Sequence, residues 1–107
     1  MIHDEQFSGI RKGLLEFALL SLIGANRVYA ADILTRLGRT PFATQEGTLY
    51  PLLSRMRRDE VVQYEWVESD AGPPRKYYSL TEKGRARLED LGVYWRLLTT
   101  TLEQLGR

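Results

Sequence analysis

The 107-residue sequence has no cysteine and a single histidine, His3. Disulfides, thiolate metal sites and cysteine nucleophiles are therefore excluded, and the composition suits a reducing compartment. With one histidine and only scattered acids, no metal-ligating constellation can be assembled from the sequence. No apolar run approaches the ~18 residues that span a bilayer, so no membrane segment is expected. Asp4 and Glu5 follow His3, and the start lacks the basic region and apolar core of a secretory signal, so the cytoplasm is the expected location. Neither sign of charge dominates: 15 basic residues face 14 acidic ones, and bulk charge does not mark a nucleic-acid binder. Nucleophile–base pairs and phosphate-cradling loops are also missing, so neither an enzyme nor a cofactor is expected.

What is present is patterned. A chain of this length supports one compact domain with a modest core, for which dimerisation is a natural further source of stability. Positive charge is concentrated locally: Arg36, Arg39, Arg55, Arg57 and Arg58 fall in one stretch against a single acid, Glu46. Leu15, Ala18, Leu19, Leu22 and Ile23 follow helical spacing over residues 13–23, with Gly24 as the expected stop. Ile33, Leu34 and Leu37 predict a short helix over 30–37, ended by Gly38. A third helix is expected to start with Thr44 as N-cap and run to about Asp59, turning Leu49, Leu52, Leu53 and Met56 inward. Pro51 is awkward there, because proline lacks an N–H and is tolerated only in a first turn.

Periodicity then changes from helical to alternating. Val62, Tyr64 and Trp66 share one face, and Tyr78 and Leu80 mirror them, predicting an antiparallel hairpin of 61–68 and 75–80. Gly72-Pro73-Pro74 is expected to lie in the turn, outside the ladder. Thr81 caps a last helix beginning at Glu82. The expected fold class is mainly α with a small β-hairpin: a winged helix-turn-helix over 1–81, followed by a dimerisation helix over 82–107. A helix with a polar, basic outer face fits a major groove about 12 Å wide. Thr44, Gln45 and Thr48 at its start suit base edges or phosphates, and Arg55, two turns beyond Thr48, suits phosphate neutralisation. Arg75 and Lys76 beside the hairpin turn suit a narrow minor groove or its phosphates.

The segment TQEGTLYPLLSRMRRDEVV, followed by GPPRKYYSLTEKGRARL, resembles the PadR family of bacterial transcriptional regulators. Its most specific pieces are Gly47-Thr48-Leu49-Tyr50-Pro51 and Arg75-Lys76-Tyr77-Tyr78-Ser79-Leu80-Thr81, with Gly84 three residues on. The resemblance implies dimeric repressors on inverted-repeat operator DNA whose hold weakens when a small molecule binds. It also implies a recognition helix over 45–59, a wing turn over 68–75 and a Tyr50 hydroxyl directed at a phosphate. The single last helix resembles the short branch of the family. Two positions depart from the family pattern, Ala30 and Glu60, each standing where glycine is usual. At Glu60 the departure bears on the helix end, where a residue in the left-handed region is expected; Asp59 is the alternative for that role.

In the last helix Leu88, Leu91, Trp95, Leu98, Leu102 and Leu105 recur at alternating spacings of three and four, a heptad seam. A helix ~36 Å long cannot bury such a seam against so small a domain, and a second copy is the simplest partner. Trp95 interrupts a row of leucines. Either the seam opens there, leaving a slot lined by Trp95 and Leu98, or the indole packs on a partner's first helix. By resemblance, that slot is where some short PadR proteins hold flat aromatic compounds. The alternatives are a constitutive repressor without a ligand and a winged-helix protein-interaction module without DNA binding. The second has no need of Arg55, Arg75 and Lys76 together.

Overall fold

The computed structural model describes residues 4–107; His3 lies outside the described residues. A 3-10 turn, Asp4–Phe7, leads into helix α1, Ser8–Ala25. Strand β1 (Val28–Tyr29), helix α2 (Ala30–Leu37) and helix α3 (Glu46–Arg58) follow, then strands β2 (Val62–Ser69) and β3 (Gly72–Leu80) and helix α4 (Glu82–Leu105). The core gathers Leu19, Leu20 and Ile23 of α1, Ile33 and Leu37 of α2, Leu49, Leu53 and Met56 of α3, and Val28, Val62, Tyr78 and Leu80 of the sheet. In α2 and α3 these positions sit three, four or seven apart, and in α1 Leu19 and Leu20 each lie three or four residues before Ile23, the spacing that turns one stripe inward. Among the described residues no helix is long and apolar enough to cross a membrane.

Helix α1 does not stop at Gly24. It ends at Ala25, with Asn26 in extended conformation as its C-cap. Gly24 serves packing: a Cβ there would come within 3.0 Å of Leu80 Cδ1 and 3.1 Å of Leu88 Cδ2, so its smallness lets β3 and α4 close on α1. Helix α3 also differs from expectation. Gln45, not Thr44, is the N-cap, and its carbonyl accepts from the N–H groups of Thr48 (3.0 Å) and Leu49 (2.9 Å). Pro51 is the sixth residue of α3 and remains helical; it has no N–H to give the Gly47 carbonyl.

The end of α3 settles the glycine question. Asp59 is still right-handed, and Glu60 itself adopts φ 62°. Glu60 N–H donates to the Arg57 carbonyl and Val61 N–H to the Met56 carbonyl, both at 3.0 Å. This is the doubly bonded left-handed C-cap usually built on glycine. Val61 and Met56, both buried, close it from the inside.

The sheet has three strands in the order β1-β3-β2, all antiparallel. Only two residues long, β1 carries no alternation to read and was not expected. The β2–β3 register pairs Val62 with Leu80 and Tyr64 with Tyr78, as the alternation implied. The prolines do not lie outside the strand. β3 starts at Gly72, and Pro73 and Pro74 sit where the register shifts between Val67 and Ser69. They are tolerated there because β1 covers β3 only at Tyr77 and Tyr78, so at Pro73–Pro74 β3 is an edge strand with a bulge.

Thr81 caps α4 as expected, its hydroxyl accepting from Gly84 N–H at 2.9 Å and donating to the Glu60 carbonyl at 2.5 Å. The capping turn is packed tightly: a Cβ on Gly84 would stand 1.9 Å from the Val61 carbonyl oxygen. The first turns of α4 therefore belong to the winged core, whereas its far end projects from a molecule 57 Å long and 20 Å thick.

Candidate nucleic-acid interface

Successive residues of a helix turn by about 100°, so Gly47, Pro51, Ser54 and Arg58 fall opposite the buried stripe of α3. All four are exposed. Three are small or compact, so the outermost ridge of α3 is low and its taller polar side chains stand on the two flanks. On the α1 flank, Thr48 and Arg55 share a groove with Lys12 and Glu16. Thr44 and Thr48 meet Arg11 and Lys12 in a neighbouring groove. These two α1 cations were absent from the sequence expectation, since nothing local ties residues 11 and 12 to the start of α3.

Arg55 is placed differently from a free phosphate-binding cation. Its guanidinium lies 3.3 Å from one oxygen of Glu16, and Arg87 of α4 holds the other oxygen at 3.0 Å. The Glu16 side chain is 17% exposed, so one half-sheltered carboxylate ties α1, α3 and α4 together.

On the sheet flank, exposed Tyr50 and Arg57 face the wing. Arg57 lies over the Tyr64 ring, 4.7 Å from its centroid, and Lys76 approaches the same ring at 4.3 Å and Trp66 at 5.5 Å. Tyr64 is steadied by Trp66 (6.3 Å) and Tyr78 (5.8 Å). Burial pushes the Tyr78 hydroxyl above the usual tyrosine value; Tyr64 and Tyr50 add to the rise and Arg57 opposes it. The structure separates the two wing cations that the sequence paired. Strand alternation sends Arg75 to the other face, where it stacks over Tyr29 at 4.5 Å, while Arg27 covers Tyr77 and pairs with Glu65. Only Lys76 joins the face shared with α3.

The α4 seam also divides. Leu88 and Leu91 pack against the chain's own core. Beyond them Leu102 and Leu105 are 68% and 77% exposed, with Val93, Tyr94 and Leu97 also bare. Trp95 stands between two apolar grooves. The larger, of about 550 Å³, runs under Phe17, Leu22, Leu37 and Phe42; the other adds Ile10, Tyr94 and Leu98. Leu98 therefore meets Trp95 in one groove only. Among the described residues no group of three or more acids or histidines is positioned to hold a metal ion.

Comparison with known proteins gives one answer. The model described as "Transcriptional regulator PadR-like family" matches residues 19–90. The chain is 44% identical to a PadR-like transcription factor of Bacteroides fragilis, with TM-score 0.80 over 94% of this chain and 98% of that one. It is 36% identical to a PadR-like transcriptional regulator of Bacillus cereus, with TM-score 0.84 over 92% and 96%. An uncharacterized protein of Lysinibacillus sphaericus is 31% identical over 91 residues, 82% of this chain and 84% of its relative.

Proposed function

The chain belongs to the PadR-like family of transcriptional regulators, proteins that bind DNA and are not enzymes, and from that premise we propose that it is a homodimeric repressor of an inverted-repeat operator. Two copies of α3 enter successive major grooves, and the wings lie against the flanking backbone. Thr44, Gln45 and Thr48 meet base edges or nearby phosphates, Tyr50 and Lys76 meet phosphates, and Arg75 serves the outer face of the wing. Arg55, drawn toward Glu16, neutralises a phosphate only by sharing its charge. The observation that carries this reading is the low outer ridge of α3 flanked by polar and basic side chains, continuous with the cationic, aromatic face of the wing. A protein-interaction module has no use for cations gathered on one face from both α3 and the wing.

The second copy is assigned to the far end of α4, where Leu102 and Leu105 project beyond their own domain and Leu98 stands at the edge of the α1 groove. Apolar side chains this bare on a projecting helix fit a partner helix better than water. A flat aromatic or phenolic effector is assigned to the Trp95 slot, because an exposed indole between two apolar grooves accepts a ring by stacking with few hydrogen bonds.

Anisotropy titrations of a labelled duplex from the chain's own upstream region test the DNA reading. Tight binding to the repeat is expected, with log K falling steeply against log salt, by about 0.9 for each neutralised phosphate. Equal affinity for the repeat and an unrelated duplex would defeat it. For the effector, flat cations and phenolic acids are titrated while tryptophan fluorescence is followed in wild type and Trp95→Ala. Trp66 remains in both proteins as the control for non-specific quenching. Equal affinity in the two proteins would move the site elsewhere, and tight binding with unchanged operator affinity would remove the switch.

A further inference from the structure

Arg57 comes from the recognition helix and Lys76 from the wing, yet both rest on one ring, that of Tyr64. Their charges are no farther apart than the two ring distances together, about one Debye length (~8 Å at physiological salt), so their repulsion is only partly screened. Neither takes part in any of the ion pairs among the described residues, which use Arg27, Arg36, Arg55 and Arg87. The face of an aromatic ring holds a cation in place without neutralising it. The ring itself is fixed from below, because Tyr64 leans on Tyr78, which is only 6% exposed. The result is two cations from two different elements, neither in an ion pair among the described residues, gathered at one fixed ring.

We propose that Arg57, Tyr64 and Lys76 form a clamp for a single backbone phosphate of DNA at the junction of α3 and the wing. This rests on the operator-binding reading and adds to it a shared ligand for two cations that lie 19 positions apart, on different elements. A phosphate diester is the matching occupant: it carries one negative charge and accepts hydrogen bonds from both cations at once. A guanidinium offers it a fixed fork and an ammonium offers a point charge. The clamp reads no base. It sets the angle between recognition helix and wing, and thereby the groove spacing the domain accepts.

The count of phosphates provides the test. Salt titrations are run on the full chain for wild type, Arg57→Ala, Lys76→Ala and the double variant, with operator and unrelated duplexes. If the two cations share one phosphate, the double variant flattens the log K against log salt slope by about 0.9, and cations on separate phosphates would flatten it by about 1.8. Each single substitution is expected to weaken both duplexes alike and to account for most of the loss seen in the double. Tyr64→Phe is expected to match wild type, and Tyr64→Leu to match the double variant with its thermal transition preserved. A slope loss near 1.8, fold-losses that simply multiply, or an unchanged slope would overturn the clamp. A wild type without salt-dependent duplex binding would instead overturn the operator reading beneath it, so the two failures are distinguishable.

Discussion

Replacing Gly84 by alanine sets two effects of opposite sign against each other. In an exposed helix interior the change stabilises by about 1 kcal/mol, because alanine loses less backbone freedom. At Gly84 the new methyl would lie 1.9 Å from the Val61 carbonyl oxygen and 2.9 Å from its carbon. That carbonyl cannot swing away as a side chain would. It accepts Thr81 N–H at 3.2 Å, and the N–H of the same residue is bonded to Met56 at 3.0 Å. The first turn of α4 must therefore move by more than an ångström, which strains the Thr81 cap. Loss of such a cap costs ~1 kcal/mol, and overpacking a close contact costs about 1–3 kcal/mol. Against the alanine gain the net is a loss of about 1–3 kcal/mol, a fall in Tm of roughly 4–8 °C for each kcal/mol in a domain of this size. Thermal and urea unfolding followed by circular dichroism measure it, at one chain concentration because association shifts apparent stability. Gly92→Ala is the control within the same helix: its Cβ would meet only the flexible end of Arg96, at 3.6 Å, and stability should rise. A Gly84→Ala protein as stable as wild type, or more so, would refute the reasoning.

Other consequences follow from single contacts. Glu60→Gly should stabilise by about 1 kcal/mol, because a side chain in the left-handed region costs roughly 1–2 kcal/mol that glycine avoids; an unchanged urea midpoint would contradict it. Leu102→Glu should give a folded monomer with weakened operator binding, since Leu102 is 68% exposed in the single chain; light scattering that still reports a dimer would assign the interface elsewhere. Glu16→Gln should remove both the Arg55 and the Arg87 pairs at a cost under about 1 kcal/mol that shrinks with salt, because the arginines are more than half exposed; a large, salt-insensitive loss would mean that the carboxylate does more. Tyr78 has its hydroxyl value raised in the folded state. The neutral form is therefore favoured by folding, and its contribution is complete below the ordinary tyrosine value and lost as pH rises through the raised one. Stability should fall in that alkaline window and less so in Tyr78→Phe; identical alkaline unfolding of the two proteins would exclude Tyr78.

Much of the architecture is a local property of the sequence. The helical spacing in α2, the heptad seam in α4, the alternation from Val62 to Trp66, the Thr81 cap and the two motifs around Tyr50 and Tyr77 each depend on residues a few positions apart. They placed the winged helix and its long last helix correctly. Three features were decided only when distant segments met. Arg55 finds Glu16 39 positions away, and Arg87 finds the same carboxylate 71 positions away, so a cation counted toward DNA is shared with an internal ion pair. A two-residue β1 has too little pattern to read, yet its pairing leaves the end of β3 as an edge able to carry two prolines. The α4 seam is continuous in sequence, but the fold draws Leu88 and Leu91 into its own core and leaves Leu102 and Leu105 bare. Periodicity determines which side chains share a face; which face meets core, partner, acid or DNA depends on burial and charge that exist only once the chain has closed on itself.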